Sequence, residues 1–138
     1  MRNQPEVRDW NGFWSQDKTA GSGTSWSKRR IQGVIKRHLA GCRSALDAGC
    51  GSGAFARFLF DQGLAVTALD YSAEAVTRAR EITAGQARVL QQDLLAPDLP
   101  AVLGQRFDLI FSDGLFEHFT PPQQDKILQN LRAVLADH

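Results

Sequence analysis

The chain has 138 residues, a length that suits one domain with a buried core. Its 16 Lys and Arg residues nearly balance its 15 Asp and Glu residues, so bulk charge does not favour a nucleic-acid or anionic membrane partner. The sequence starts with polar residues that do not resemble a secretory signal, and no apolar run approaches the ~20 residues of a membrane span. It has only two cysteines, Cys42 and Cys50. These features predict a reduced, cytoplasmic protein.

Residues 1–27 form a polar segment that contains all three tryptophans, Trp10, Trp14 and Trp26. A Gly/Ser-rich stretch at residues 19–25 is typical of a flexible loop. Since an exposed indole ring is unfavourable, we expect this segment either to pack on the domain or on a partner chain as an arm, or to close over a ligand as a lid. Residues 28–138 are expected to form the main domain.

Apolar residues at helical spacing predict a first helix after this segment. Ser27 is expected to cap the helix, which reaches Leu39 and buries Val34 and Ile35. The basic residues of this helix fall mostly on other faces, which is typical of a solvated surface rather than a nucleic-acid site.

Four short apolar runs predict strands, at residues 44–48, 64–69, 87–91 and 107–111. Apolar spacing predicts helices at residues 54–62 and 72–82, the second with Ser72 as its cap and Ile82 facing inward. Residues 94–100 are expected to form a Pro-bounded loop. Thr120 and Pro121 are expected to begin a last helix, whose buried stripe includes Leu128, Leu131 and Leu135.

Strands that alternate with helices predict an α/β fold: a three-layer, Rossmann-like parallel sheet with helices on both faces. In such sheets ligands bind at the carboxyl ends of the strands. All four predicted strands end there in polar or glycine-rich residues, at residues 47–53, 70, 93 and 112–118. We therefore expect one ligand site along this edge.

The stretch at residues 45–55, ALDAGCGSGAF, places three glycines between a predicted strand and a predicted helix. Gly49, Gly51 and Gly53 allow a tight turn with positive φ and a close approach of the backbone to a ligand. The amides that begin the next helix favour an anionic or electron-rich group. The loop therefore predicts a nucleotide-like cofactor, and Asp47 is expected either to orient the loop or to face a cationic group.

Acidic residues at the ends of the second and third strands suit the same cofactor. Asp70 is placed to accept hydrogen bonds from two ribose hydroxyls or, alternatively, to cap the following helix. Asp93 is placed to accept from the exocyclic amine of an adenine ring or, alternatively, to stabilise a turn.

At these motifs the sequence resembles the class I S-adenosylmethionine-dependent methyltransferases. LDAGCGSGAF resembles their first motif, VTALDYS their second, QQDLL their third and FDLIFSDGLFEH their fourth. The resemblance covers residues 28–138 and implies S-adenosylmethionine as the cofactor. It predicts a set of cofactor-binding residues: Asp47, Gly49, Cys50, Gly51, Gly53, Asp70, Tyr71, Asp93, Leu94 and Ser112.

The resemblance also implies what these residues contact. The glycines approach the methionine and ribose part of the cofactor, with Cys50 as a small residue that fits inside the loop. Asp47 meets the amino group, directly or through water, and Asp70 takes the ribose diol. Asp93 and the Leu94 amide take adenine, while Ser112 offers its carbonyl to the ammonium.

Methyl transfer from a sulfonium is an in-line displacement that depends mostly on positioning. His118, Glu117 and Asp113 are the candidate catalytic residues on the acceptor side, because a histidine can accept a proton near neutral pH. Alternatively, Glu117 and His118 belong to the scaffold. The expected acceptor is an unidentified small molecule, and no metal site is expected.

Two other functions stay open. A NAD-dependent oxidoreductase also has an acid after its second strand, but its loop usually has the spacing G-x-G-x-x-G for a pyrophosphate, which the Asp47 carboxylate would repel. The other possibility is a partial domain that binds the cofactor, is inactive by itself and acts through a partner chain.

The resemblance implies a sheet of seven strands, whereas this sequence supplies four. Under the family's strand order the strand at residues 107–111 lies at an edge. Its nearly all-apolar sequence, FDLIF, is typical of a strand covered on both faces and is unsuited to a bare edge. We therefore expect an incomplete fold, in which either the chain is a fragment or two copies form a homo-oligomer by pairing or exchange at this edge.

Overall fold

The computed structural model describes residues 26–137, in which helices alternate with the strands of a parallel sheet. The elements are α1 (Trp26–Lys36), β1 (Ser44–Ala48), α2 (Ala54–Asp61), β2 (Ala65–Asp70), α3 (Ala73–Ile82), β3 (Arg88–Gln91), α4 (Leu99–Leu103), β4 (Leu109–Phe111), a 3-10 turn (Phe116–His118) and α5 (Pro121–Ala133). The predicted arm, except for Trp26 and Ser27, lies outside the described residues.

The sheet has the strand order β3-β2-β1-β4, and every pair of neighbouring strands is parallel. This arrangement confirms the predicted α/β class and the edge position of the fourth strand. Apolar side chains of β1 alternate between two cores, one on each face of the sheet: Ala45 packs with Phe55 and Leu59, and Leu46 packs on the opposite side with Phe107. The sheet is therefore the middle one of three layers.

Side-chain caps begin two of the helices as predicted. The Ala75 amide donates to Ser72 Oγ at 3.2 Å, at the start of α3. At the start of α5 the Gln123 amide donates to Thr120 Oγ1, and the Thr120 amide donates back to the Gln123 side chain, which forms a capping box.

The first helix differs from the prediction at both ends. It begins at Trp26, so Ser27 lies inside it and is not its cap, and it ends at Lys36 rather than at Leu39. Val34 was predicted to face inward but is 52% exposed, because only Ile35 of this helix is fully buried against the sheet. The prediction that Ile82, Leu128 and Leu135 are buried is also wrong, because each is at least 41% exposed. Leu135 lies beyond the last residue of α5, Ala133.

A short helix, α4, replaces part of the predicted loop. Pro100 lies in its first turn, where a missing amide hydrogen costs nothing because that amide has no partner within the helix. Leu99 and Leu103 are buried in the same core as Leu46 and Phe107. The proline therefore marks the beginning of a helix rather than the end of a loop.

The fourth strand is shorter than predicted, and its residues are half-buried rather than covered on both faces. Phe107 precedes β4 and forms a parallel bridge with Leu135. The Phe107 amide donates to the Val134 carbonyl at 2.7 Å, and the Ala136 amide donates to the Phe107 carbonyl at 2.8 Å. The N–H and C=O groups of successive residues point to opposite edges of a strand. In β4 these backbone groups therefore point toward the same outer edge at every second residue.

Among the described residues, no helix combines the length and the apolar character that crossing a bilayer requires.

Candidate functional site

The carboxyl ends of the four strands lie side by side. The register pairs Asp47 of β1 with Ala68 of β2 and with Phe111 of β4. It also pairs Asp70 with Gln91, the last residue of β3. The structure therefore brings the predicted polar ends of the strands together at one edge, with Asp70 and Asp93 on neighbouring strands.

The glycine loop between β1 and α2 has the predicted tight turn. Gly49, Gly51 and Gly53 all have positive φ, at 77°, 53° and 86°. The amides of Gly49 and Cys50 both donate to the Leu69 carbonyl at 2.9 Å, which ties the loop to the end of β2.

Two of these glycines make room for neighbouring elements. A Cβ atom on Gly53 would lie 2.7 Å from the Cα of Ala79, so Gly53 lets α2 begin directly against α3. A Cβ atom on Gly49 would lie 3.0 Å from Leu115 Cδ1, so the loop after β4 covers the glycine loop at this point. Spacing alone did not indicate the Leu115 contact.

Asp70 connects the glycine loop to α3 through both of its carboxylate oxygens. The Gly51 amide donates to Oδ2 at 3.0 Å, and the Ser72 amide donates to Oδ1 at 2.9 Å. Burial raises the pKa of Asp70 above its ordinary value, and the hydrogen bonds from Ser72, Gly51 and Tyr71 oppose that rise. Because a carboxylate has about four acceptor positions, these bonds leave capacity for the predicted ribose diol.

Asp47 is the most deeply buried carboxyl group of the site, at 2% exposure. Its Oδ2 atom has no hydrogen-bond partner. Burial and the negative charges of Asp70 and Asp113, in that order of size, raise its pKa from 3.8 to about 7, while a hydrogen bond from the Ala56 backbone opposes the rise. The structure thus brings Asp70 and Asp113 close enough to Asp47 to disfavour its ionised form.

A cleft of about 370 Å³ lies at the ends of β2 and β3, lined by Tyr71, Gln91, Gln92 and Asp93. Tyr71 is 64% exposed on its wall. The Gln91 side chain donates to the Tyr71 carbonyl at 3.2 Å, which links the two strand ends. Neither glutamine was among the predicted site residues.

Asn130, which was not among the predicted site residues, fixes the loop after β3. Asn130 of α5 is buried, and its Nδ2 atom donates to the carbonyls of Leu94 at 2.8 Å and Ala96 at 3.0 Å. Asp93 stabilises the same turn, because its Oδ1 accepts from the Leu95 amide at 2.9 Å. Leu94 itself is buried in the core, at 5% exposure.

The loop after β4 holds the remaining predicted residues. Ser112 is half-buried and Asp113 is exposed. Glu117 and His118 lie in the 3-10 turn, with His118 Nε2 3.7 Å from Glu117 Oε1. Gln124 of α5 fixes this turn, since its Nε2 donates to the carbonyls of Phe116 and Phe119.

Cys50 is buried inside the glycine loop as a packing residue. Burial, followed by the charges of Asp47 and Asp70, raises the pKa of its thiol far above the ordinary value, so it stays protonated. Within residues 26–137 no group of three or more His, Cys, Asp or Glu side chains is arranged to hold a metal ion.

Residues 45–138, which include all of these strand ends, match the family of methyltransferase domains. The chain belongs to the class I S-adenosylmethionine-dependent methyltransferases. The chain is 39% identical over 88 residues to the malonyl-(acyl-carrier protein) O-methyltransferase of Enterobacter lignolyticus, a match that covers 62% of this chain and 34% of the relative. The chain spans between 25% and 42% of the length of the curated relatives that it matches.

Solved structures show the same methyltransferase fold. A complex of DhpI with SAH (S-adenosylhomocysteine) is similar with a TM-score of 0.69 at 25% identity, over 92% of this chain and 60% of that chain. A SAM-dependent methyltransferase from Anabaena variabilis has a TM-score of 0.75 at 21% identity, over 97% of this chain and 60% of that chain. The cofactor of the chain is S-adenosylmethionine.

The surroundings of the glycine loop fit the charges of that cofactor. S-adenosylmethionine carries a positive sulfonium and a positive ammonium. Asp47 offers a buried carboxylate oxygen without a partner, and Asp70 and Asp113 add negative charge around it. A cationic group at the loop would therefore remove a repulsion that is present in the free protein.

Proposed function

We propose that this chain transfers the methyl group of S-adenosylmethionine to a small-molecule acceptor. The observation that supports the proposal most directly is the buried, unpartnered oxygen of Asp47 beside two further acids. A buried carboxylate is costly unless it is paired, and a bound cation would pair it. The same three acids would repel a pyrophosphate, which argues against a NAD-dependent oxidoreductase.

We assign the binding roles from the positions of the strand ends. Asp47 and the carbonyl of Ser112 face the ammonium of the cofactor, Asp70 accepts from the ribose hydroxyls, and the Gly49 and Gly51 backbone allows the close approach. Asp93 and the backbone amide of Leu94 bind the adenine in the cleft beside Tyr71. These roles agree with the acceptor capacity that remains on the two Asp70 oxygens and with the cleft that Tyr71 and Asp93 line.

When bound, S-adenosylmethionine supplies an electrophilic methyl group on a positively charged sulfur. The residues of this chain then act mainly by positioning, because an in-line displacement requires the acceptor atom to lie behind the methyl carbon. Glu117 and His118 lie on the loop whose Leu115 covers Gly49, which supports their assignment to the acceptor side. His118 is placed to take the proton that an alcohol or amine acceptor would lose, with Asp113 as a further polar group near the mouth.

A partial domain that binds the cofactor but does not transfer the methyl group is the second candidate. The observation that favours this candidate is that the chain covers less than half of the length of each curated relative that it matches. Turnover separates the two functions: cofactor binding without methyl transfer to any small acceptor, with and without added partner chains, would favour the partial domain.

Asp70→Ala should weaken the binding of S-adenosylhomocysteine by about 1–3 kcal/mol, because it removes an acceptor of charged hydrogen bonds. Isothermal titration calorimetry of the wild type and the variant measures this loss, and a parallel titration with NAD tests the oxidoreductase alternative. Asp61→Ala is the control, since Asp61 is an acid at the far end of α2 from the glycine loop.

Two results would contradict this assignment. An unchanged affinity in Asp70→Ala would exclude Asp70 from the cofactor site. Binding of NAD but not of S-adenosylhomocysteine would replace the methyltransferase proposal. Because Asp70 also holds the Gly51 and Ser72 amides, thermal unfolding of the variant must confirm that the protein is folded at the titration temperature.

We also propose that a second copy of the chain covers the outer edge of β4. Support comes from the apolar sequence of the strand and from the single parallel bridge, at Phe107, on that side among the described residues. Unpaired strand edges of this kind favour pairing between chains. Sedimentation equilibrium should show a dimer at micromolar concentration, and Phe111→Lys should shift it toward monomer; a monomeric wild type would contradict the proposal.

A further inference from the structure

The charges of the described residues are divided between two regions. From residue 26 to residue 46 there are six Lys and Arg residues and no acid, whereas residues 47–137 contain seven basic and twelve acidic residues. The small net charge of the whole chain therefore hides a strongly basic segment, which is α1 and the turns that follow it.

The solvent-facing side of α1 concentrates this charge around an aromatic ring. Successive helical residues are 100° apart, and Ile35 points into the core, so Trp26, Arg29, Arg30 and Gly33 lie on the opposite side. Trp26 is 72% exposed, and the Arg30 guanidinium lies 4.8 Å from the centroid of its ring. We call these four residues the α1 face.

Packing within residues 26–137 does not explain the composition of the α1 face. A glycine in a helix interior costs about 1 kcal/mol relative to alanine, yet nothing lies within 4 Å of the place where a Cβ atom of Gly33 would be. Tryptophan and arginine are the residues most enriched at the energetic centres of protein interfaces. A glycine between them lets a partner helix approach the backbone closely.

We propose that the α1 face binds a small acidic carrier protein, to which the small acceptor molecule of the reaction is covalently attached. This inference rests on the proposed methyl transfer and names the partner that presents the acceptor. Charge complementarity supports an acidic partner, because residues 26–46 carry six basic residues and no acid. The exposed tryptophan beside the arginines favours a protein over a membrane or a nucleic acid, because these residue types are enriched at the energetic centres of protein interfaces.

The probe is a malonylated acyl carrier protein of acidic sequence, since a carrier of this type appears in the name of a curated relative. Its binding to the full chain, saturated with S-adenosylhomocysteine, is measured by calorimetry at low and at physiological salt. Arg29→Glu with Arg30→Glu is expected to weaken binding by about tenfold or more at low salt. Lys126→Glu with Arg132→Glu on α5 is the matched control, because it changes the net charge equally, and it should change the affinity less than about twofold.

The outcomes separate this inference from the proposed function. Unchanged S-adenosylhomocysteine affinity in both double variants, with carrier binding lost only in the α1 variant, supports the inference. An equal loss in both variants, or no carrier binding by a wild type that binds S-adenosylhomocysteine, overturns it and leaves the methyltransferase proposal intact. Anionic phosphatidylserine vesicles or duplex DNA that bind through Arg29 and Arg30, while the carrier does not, also overturn it.

Discussion

Gly53→Ala is expected to lower the free energy of unfolding by about 3–5 kcal/mol, the range of severe overpacking combined with backbone strain. The added Cβ atom would lie 2.7 Å from the Cα of Ala79 and 2.9 Å from its Cβ. Neither atom can move aside without displacing α3, because both belong to a buried residue of that helix. The φ of 86° at Gly53 adds the strain of a left-handed conformation.

Gly63→Ala is a closely matched control for this prediction. Gly63 has a φ of 90°, and nothing lies within 4 Å of a Cβ atom placed there. It should therefore show the backbone strain alone, about 1–2 kcal/mol. Urea unfolding followed by circular dichroism measures both variants, and an equal loss in the two would show that the contact with Ala79 does not matter.

Asp47→Asn is expected to raise the stability of the free protein at pH 8 by roughly 2–4 kcal/mol. The folded-state pKa of Asp47, about 7, lies above its ordinary value of 3.8. Between these values the folded state binds a proton that the unfolded state has lost, so the wild type loses stability as the pH rises from about 4 to about 7. Asparagine has no charge to bury, so the free energy of unfolding of the Asp47→Asn variant lacks this pH dependence.

Unfolding measured at pH 4.5 and pH 8 tests the sign of this effect, with Asp61→Asn as an exposed control. The difference between Asp47→Asn and the wild type should grow with pH, whereas that of the control should not. If Asp47 faces the ammonium of the cofactor, the more stable variant also loses affinity for S-adenosylhomocysteine. A variant that is less stable at pH 8 than the wild type would contradict the buried, unpartnered state of the carboxylate.

The features that local sequence specified were predictable. A glycine-rich stretch between an apolar run and a helical pattern defines its own turn, so Gly49, Gly51 and Gly53 were located correctly. The acids at strand ends were also placed correctly, because parallel strands bring their carboxyl ends to one edge whatever the details of packing. Ser72 and Thr120 were recognised as caps because capping depends on residues within one turn.

The contacts that connect distant parts of the chain were not predictable. Asn130 is 36 residues from Leu94, and a polar residue in a helix gives no sign that it will be buried against a loop. Leu115 over Gly49 and Phe107 beside Leu135 depend on the same three-dimensional arrangement. Val34 and Leu128 were misplaced because periodicity identifies an apolar stripe but not how much of it a neighbouring element covers.

Asp70 accepts hydrogen bonds from the Gly51 and Ser72 amides, and this arrangement limits how the protein can evolve. Both bonds form within the protein itself, so they fix part of the loop conformation during folding rather than on ligand binding. One carboxylate therefore serves both the native backbone and the predicted ribose contact. Selection for a different nucleotide cannot replace this residue without first rebuilding the junction between the second strand and the third helix.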